Sequence, residues 1–400
     1  MRTGAGCRMK REMTLLAAGQ ALIRSDLRGV RHPGFLKLLG RIRSADLSFT
    51  NFEGAVLGNP HCWPTKDDRF CGAVPAGTLQ AVAAMGFSAL ALANNHAFDL
   101  GPGGILATLE EARGCGVLAA GIGEDFSAAA NPAVRDFPFG GAALLAVHCG
   151  DRSEARSCRA LNAQPSLRIP ARPGVNMLEG VPERGEDGGG SFRAEDIRLH
   201  RDRISHAAAA GHFVLVYIHH HTLGPTPEIV PPPFRIFCRM CIDAGASAVV
   251  GHGTPVLQGV EIYRERPIFF NLANFIFHTQ AVEMWSGRHG SHPWESCLAS
   301  ARFLADGRLS SLELHPIVLG RPAELAGTDA AGRRASFPVP AEGTEAERIL
   351  QRVADLSAQW NTAFQVHESS SGQWSARWSR PADSMPPGCP AGTGSGTPAR

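Results

Sequence analysis

At 400 residues the chain can hold one large α/β domain or several small ones, which excludes a lone binding motif. Lys and Arg (39) nearly balance Asp and Glu (37) with no long basic run, so composition makes no case for a nucleic-acid partner. Apolar residues, 44% of the chain, suffice for a core, whereas 45 Gly and 28 Pro stand above the roughly 12% of an average protein and predict many loops.

Arg8, Lys10 and Arg11 precede a short apolar run, Met13–Ile23, in the manner of a signal peptide. Gln20 interrupts the run and Arg24 ends it, so an ordinary first strand at Thr14–Ala18 is the expectation. Further strands are predicted at Leu47–Thr50, Ala89–Ala93, Ala142–Val147, Phe213–Ile218 and Ala248–Val250. Helical patterns lie between several of them, at Phe35–Ile42, Ala76–Met85, Gly104–Arg113, Ala194–Ala210 and Phe234–Ala244. This alternation implies sheets covered by helices, with ligand chemistry at strand ends. After Gly251 the rhythm changes to two hairpins, Val260–Tyr263 with Pro267–Asn271 and Ala299–Leu304 with Leu309–Leu314, which makes the sheet mixed. Residues 152–191 are polar and rich in Pro and Gly and read as a long inserted loop. Residues 341–364 read as a terminal helix and 369–400 as a disordered tail.

No apolar stretch approaches the roughly 18–20 residues that span a bilayer, so no transmembrane segment is predicted. Ten irregularly spaced cysteines read as reduced thiols and, with that, point to the cytoplasm. Cys238 and Cys241 have CxxC spacing but fall on one face of a predicted helix with no second pair, which suits core thiols. Lys10, Lys37 and Lys66 are the only lysines, and no function follows from that alone.

Residue types that bind metals gather where predicted strands end. Asn51 and Glu53 follow the second strand, and Asn94, Asn95, His96 and Asp99 follow the third. Phe213–Ile218 runs into His219, His220 and His221, and Ala248–Val250 runs into His252. Each has an ordinary reading as a turn or hydrogen-bonding residue, and adjacent histidines on a strand end must face opposite ways. Taken as a set at one rim, carboxylate, amide and imidazole suit Mn, Fe or Zn.

Four ordered blocks carry a resemblance. Residues 45–54 (ADLSFTNFEG) resemble the "ADLxxxNxEG" segment of the CapA family, named for poly-γ-glutamate capsule synthesis, and residues 91–101 (ALANNHAFDLG) its "LANNHxxDxG" signature. Residues 242–263 resemble its "IDAGAxxxxGHxxxxLQGxEIY", and residues 267–277 its "KPIFYxLGNFIF". The resemblance covers roughly residues 13–320. It implies the metallo-dependent phosphatase (calcineurin-like) fold, a four-layer αββα sandwich of two mixed sheets flanked by helices. By that resemblance Glu53 or Asn51 holds the metal-bridging position, Asn95 is an amide ligand, and His219 and His252 are further ligands. His96 is the residue that protonates the leaving group or steadies the transition state, with Asp99 or a backbone carbonyl fixing its tautomer.

Two positions depart from the family pattern. Gly19–Gln20 stands where many members have Gly-Asp, and Pro255 stands where the second His of Gly-His-x-x-His would be. Both fall on one inferred site, so one strongly bound divalent ion is expected, with His221 compensating from the strand face of His219. The resemblance implies a metal-dependent hydrolase acting on a small-molecule or polymer substrate through a phosphoester or a γ-glutamyl amide bond. The rival is a non-catalytic accessory role in capsule polymer biosynthesis or export, alongside capsule-synthesis partners.

Overall fold

The computed structural model describes residues 11–66, 71–181, 191–221, 226–279, 292–320, 327–328 and 334–380, the two short strands Gly327–Thr328 and Arg334–Ala335 by backbone alone. The predicted strands and helices form where the apolar patterns lie. Ala142–Val147 lengthens to Gly140–Gly150, Phe213–Ile218 to Phe213–His220 and Ala248–Val250 to Ala248–Gly253. All three are parallel neighbours, and their near-continuous apolar runs follow from being buried on both faces.

Among the described residues the strands form two large mixed sheets. The first runs, in spatial order, Gln365–Glu368, Trp374–Ser379, Leu309–Leu319, Glu295–Phe303, Met13–Ala17, Leu47–Asn51, Ala89–Ala91 and Leu118–Ala120, with Pro338–Pro340 also paired to Leu309–Leu319. The second runs Ser191–Phe192, Met177–Val181, Gly140–Gly150, Phe213–His220, Ala248–Gly253, Arg266–Phe269 and Val260–Tyr263, with Ala133–Phe137 also on Gly140–Gly150. Met13–Ala17, Leu47–Asn51 and Ala89–Ala91 are mutually parallel, as are the three central strands of the second sheet. Their carboxyl ends are where open α/β sheets hold ligands.

Period-two alternation along Phe213–His220 shows how the layers meet. Phe213, Leu215 and Tyr217 join the core shared with the first sheet, where the rings of Phe49 and Tyr217 lie 5.6 Å apart. Val214, Val216 and Ile218 face a second core with Ile204, Phe234 and Phe237 of the helices Ala194–Ala209 and Pro232–Asp243. Each fully buried side chain of this kind contributes roughly 1.5–3 kcal/mol. Cys238 and Cys241 are buried free thiols in that second core, pushed upward in pKa by burial.

Three segments differ from expectation. The turn of the Val260–Tyr263 hairpin has two residues, Arg264 and Glu265, both at positive φ, and Arg266 already belongs to the return strand. Residues 152–181 form ordered elements where a loop is expected: the helix Arg152–Cys158, a 3-10 turn at Pro165–Leu167 and the strands Gly174–Val175 and Met177–Val181. The helix nucleates because Asp151 accepts a hydrogen bond from the Glu154 amide, an N-cap three residues ahead of a Glu. Residues 374–379 form a strand inside the segment expected to be disordered, held by pairing with Leu309–Leu319 and by Trp374 and Trp378 packing on the core. Residues 381–400 of that tail lie outside the described residues. The terminal helix spans Gly343–Ala358.

Glu261 ties the second sheet to its helix. Its carboxylate, 2% exposed, accepts from Arg235 at 2.9 and 3.0 Å and from Arg239 one turn further on. Burial pushes the Glu261 pKa up, but the two guanidinium groups outweigh it and hold it below the ordinary 4.5. A depressed carboxylate contributes stability at neutral pH that is lost as pH falls below 4.5. Glu261→Gln is expected to cost about 2 kcal/mol at neutral pH. In urea titrations the gap between parent and variant should narrow in acid, and an equal gap at both pH values would contradict the assignment.

Candidate metal centre

Four strand ends deliver the candidate residues, two from the first sheet (Leu47–Asn51 and Ala89–Ala91) and two from the second (Phe213–His220 and Ala248–Gly253). In the second sheet His219 is in register with His252 on the next strand and with His148 on the other side. Past the strand end, His221 returns to the side of His219, and their Nε2 atoms lie 3.1 Å apart. His220 points the other way and lays its ring on Phe234 at 3.6 Å.

From the first sheet, Glu53 reaches the same place. Its Oε1 lies 4.0 Å from His219 Nε2 and 4.0 Å from His96 Nε2. Glu53, His219 and His221 each offer a ligand atom, all within 4.8 Å of one another. Glu53 is 4% exposed and its Oε2 has no hydrogen-bond partner. Burial pushes its carboxyl up to about 7, against the pull of His96, Lys66 and Arg24 and with a push from Asp99. Burial, reinforced by the neighbouring histidines, lowers the His219 pKa well below its usual range and leaves a neutral imidazole, the form that binds metals. Tyr217 Oη sits 3.0 Å from His219 Nδ1 and fixes the ring from behind.

His96 stands on the opposite wall. Asn94 Oδ1 accepts from the His96 amide, and Asn94 Nδ2 donates to the Phe52 and Leu92 carbonyls, so the Asn94–His96 turn is locked to the strand before Glu53. Asp99 Oδ2 lies 2.7 Å from His96 Nδ1 and accepts from the Gly72 amide at 2.7 Å, while Asp99 Oδ1 pairs with Lys66 Nζ at 2.8 Å. Burial alone would raise the Asp99 pKa, but its bonds to His96 and Lys66 lower it, so the carboxylate is ionised and His96 is held with Nε2 toward Glu53. Asp99, of the two expected fixers of the His96 tautomer, is the one in contact.

The remaining expected ligands lie outside that triad. Asn51 donates to the Ala91 carbonyl and leaves Oδ1 buried without a partner, and Asn95 Oδ1 is likewise buried and unpartnered. His252 is fully buried, its ring 5.5 Å from Tyr217, and burial pushes its pKa down to about 3. Gln20 donates to the Gly253 carbonyl at 3.3 Å and leaves Oε1 unpartnered, beside Asn274, which pairs with it across the strands.

Sequence reasoning missed Lys66, Tyr217 and the pair His148–Glu154, joined at 2.9 Å. A signal for Lys66 existed, since it is one of three lysines in an arginine-dominated chain. Its Nζ also donates to the Asn95 carbonyl at 2.6 Å and so staples its loop to the Asn94–Asp99 turn.

The site is thus a cluster of histidines, carboxylates and amides, buried except for His221 at its exposed edge and the partly buried Asn95 and His96, at the carboxyl ends of parallel strands in an α/β protein with two mixed sheets. The profile of the bacterial capsule synthesis proteins (PGA_cap) matches residues 14–279, and the chain belongs to that family. It is 26% identical to the uncharacterized protein y4sH of Sinorhizobium fredii over 89% of this chain and 91% of that one. It is 24% identical to the capsule biosynthesis protein CapA of Bacillus anthracis over 59% of this chain and about half (51%) of that one. A probable polyglutamine synthesis accessory protein of Mycobacterium tuberculosis is also 24% identical, over 70% and 67% of the two chains. Among the described residues no helix is long and apolar enough to cross a membrane.

Gly72 gives this site a direct test. A Cβ there would meet His96 Cβ at 2.5 Å and Cγ at 2.8 Å. Gly72→Ala is expected to displace the His96 ring from Asp99 and to cost about 1–3 kcal/mol. Nitrogen NMR of labelled imidazoles reads the loss of the His96 Nδ1 hydrogen bond, and an unchanged signal in a fully stable variant would refute the packing.

Proposed function

We propose that the chain is a metal-dependent hydrolase, with residues 13–320 as one four-layer metallophosphatase-like domain, that cleaves a phosphoester or a γ-glutamyl amide bond. The observation that carries this reading is the Glu53–His219–His221 cluster: a buried carboxylate with an unpartnered oxygen facing two histidines. A buried carboxylate without a counter-charge is costly, and a divalent cation supplies that charge. One carboxylate with imidazoles suits Mn, Fe or Zn, so the residues fit the ion. Glu53, His219 and His221 hold it, with Asn51, Asn95 and His252 within the same strand-end cluster. When bound, such an ion acidifies a water and polarises the bond to be cleaved.

The chain's own residues do the rest. His96 Nε2 faces Glu53 and carries the proton handed to the departing oxygen or nitrogen. Asp99 sets the ring orientation, and Lys66 keeps Asp99 ionised while pinning the loop. Tyr217 orients His219.

A second reading, an accessory role in capsule polymer synthesis without catalysis, is favoured by one observation. Gln20 puts a neutral amide, committed to the Gly253 carbonyl, where the family pattern has a carboxylate.

Elemental analysis of untagged protein separates the two. The hydrolase reading expects about one equivalent of metal, lost in His221→Ala and in Glu53→Gln. His96→Gln should keep the metal and lower kcat by about 10²–10⁴-fold on whichever ester or amide the parent cleaves. A parent that takes up no Mn, Zn or Fe on supplementation would overturn the hydrolase reading and leave the accessory one.

A further inference from the structure

Outside the histidine cluster lies a cleft of about 690 Å³ whose wall contains five arginines, Arg152, Arg156, Arg159, Arg172 and Arg193, against a single carboxylate, Glu179. Two of the five are already neutralised. Arg159 makes a two-point pair with Asp196 at 2.7 and 2.9 Å, and Arg193 pairs with Glu195 at 3.0 Å, with Glu179 within 3.6 Å. Arg152, Arg156 and Arg172 have no carboxylate partner among the described residues. Arg172 is held in place by donating to the Arg156 and Arg159 carbonyls at 3.0 and 2.6 Å, and its Nε is buried with no partner. A guanidinium fixed by the backbone, with a buried unpaired donor and two guanidiniums on the same wall that have no carboxylate partner among the described residues, is a receptor for anionic oxygens.

The cleft adjoins the candidate centre through one helix. Arg152 and Arg156 of Arg152–Cys158 line it, while Glu154 of the same helix lies 2.9 Å from His148 Nε2, whose ring is 5.4 Å from that of His219. Arg152 and Arg156, four residues apart, share one face of the helix and Glu154 lies on the other, so the helix, about 10 Å across, stands between the cleft and the histidines. Leu161, 43% exposed, adds an apolar wall suited to methylene spacers between charges.

We propose that this cleft binds a multivalent anion, a chain bearing two or more carboxylate or phosphate groups, across the helix Arg152–Cys158 from the histidine cluster. The role as an extension of the substrate site rests on the hydrolase reading; the binding itself does not. Remote binding of this kind positions the reacting bond without touching it.

Isothermal titration of the full chain with a γ-linked tetraglutamate peptide and, separately, with inorganic tripolyphosphate tests the assignment and tells the two sources apart. The parent is expected to bind at least one of them, more weakly at raised salt. Arg152→Ala with Arg156→Ala, both at exposed positions, should weaken binding at least about tenfold, and Arg172→Gln likewise. Arg302→Ala, an exposed arginine of the first sheet, should leave it unchanged, and so should His221→Ala. A parent that binds neither probe would overturn the proposal, as would a double variant that binds like the parent. Loss of binding in His221→Ala would place the anion on the histidines and also overturn it. Because titration needs neither metal nor turnover, failure of the hydrolase reading leaves this result intact.

Discussion

The buried carboxylate of Glu53 is the constraint around which the site is organised. A carboxylate 4% exposed is tolerated only if its charge is met or its proton kept, and here burial drives it up to about 7. Its surroundings include cationic and proton-bearing groups, His96 at 4.0 Å, His219 at 4.0 Å, and Lys66 and Arg24 further out, set against the like charge of Asp99. None of these makes a close ion pair with it, and Oε2 has no partner at all. The protein has gathered attraction around this group without satisfying it, which is the electrostatic condition of a place for a cation.

Backbone geometry makes the gathering possible. Residues 219–221 place three imidazoles in succession, yet the pleat sends His220 to the helix side and returns His219 and His221 to the sheet interface. The same alternation that sorts Tyr217 from Ile218 thus decides which histidines are available to a ligand. Gly253, at φ 147°, sits so close to the His220 carbonyl that a Cβ would lie 1.7 Å from it, which lets the strand bearing His252 press against its neighbour.

How much of this was legible before the structure depends on the range of the contact. Strand ends could be read because the apolar runs stop abruptly at Asn51, Asn94 and His219, and residues beyond a run's end must collect at a sheet rim. The Asp99–His96 bond was readable too, being three residues long. Lys66 was not, since its partner Asp99 lies 33 positions on and no periodicity marks the loop between them. The helix Arg152–Cys158 was hidden by the Gly and Pro that follow it, although Asp151 and Glu154 stand in capping positions. Trp374, Ala376 and Trp378 keep a strand's two-residue period inside a Ser- and Gly-rich background, where composition outweighed pattern.

The two departures from the family pattern act together. Gln20 donates its amide to the carbonyl of Gly253, on the strand that carries His252, and it lies in register with Asn274. An Asp at that position would bring a negative charge to the same carbonyl oxygen and could not donate to it, so the neutral amide removes charge and adds a hydrogen bond in one change. Pro255 then has no imidazole to offer the half of the site that Gln20 has neutralised. On the other half Glu53, His219 and His221 converge and His96 is held in orientation by Asp99. The asymmetry is therefore one of charge: the half with Gln20 and Asn274 keeps buried neutral polar atoms without partners, whereas the other keeps a buried carboxylate.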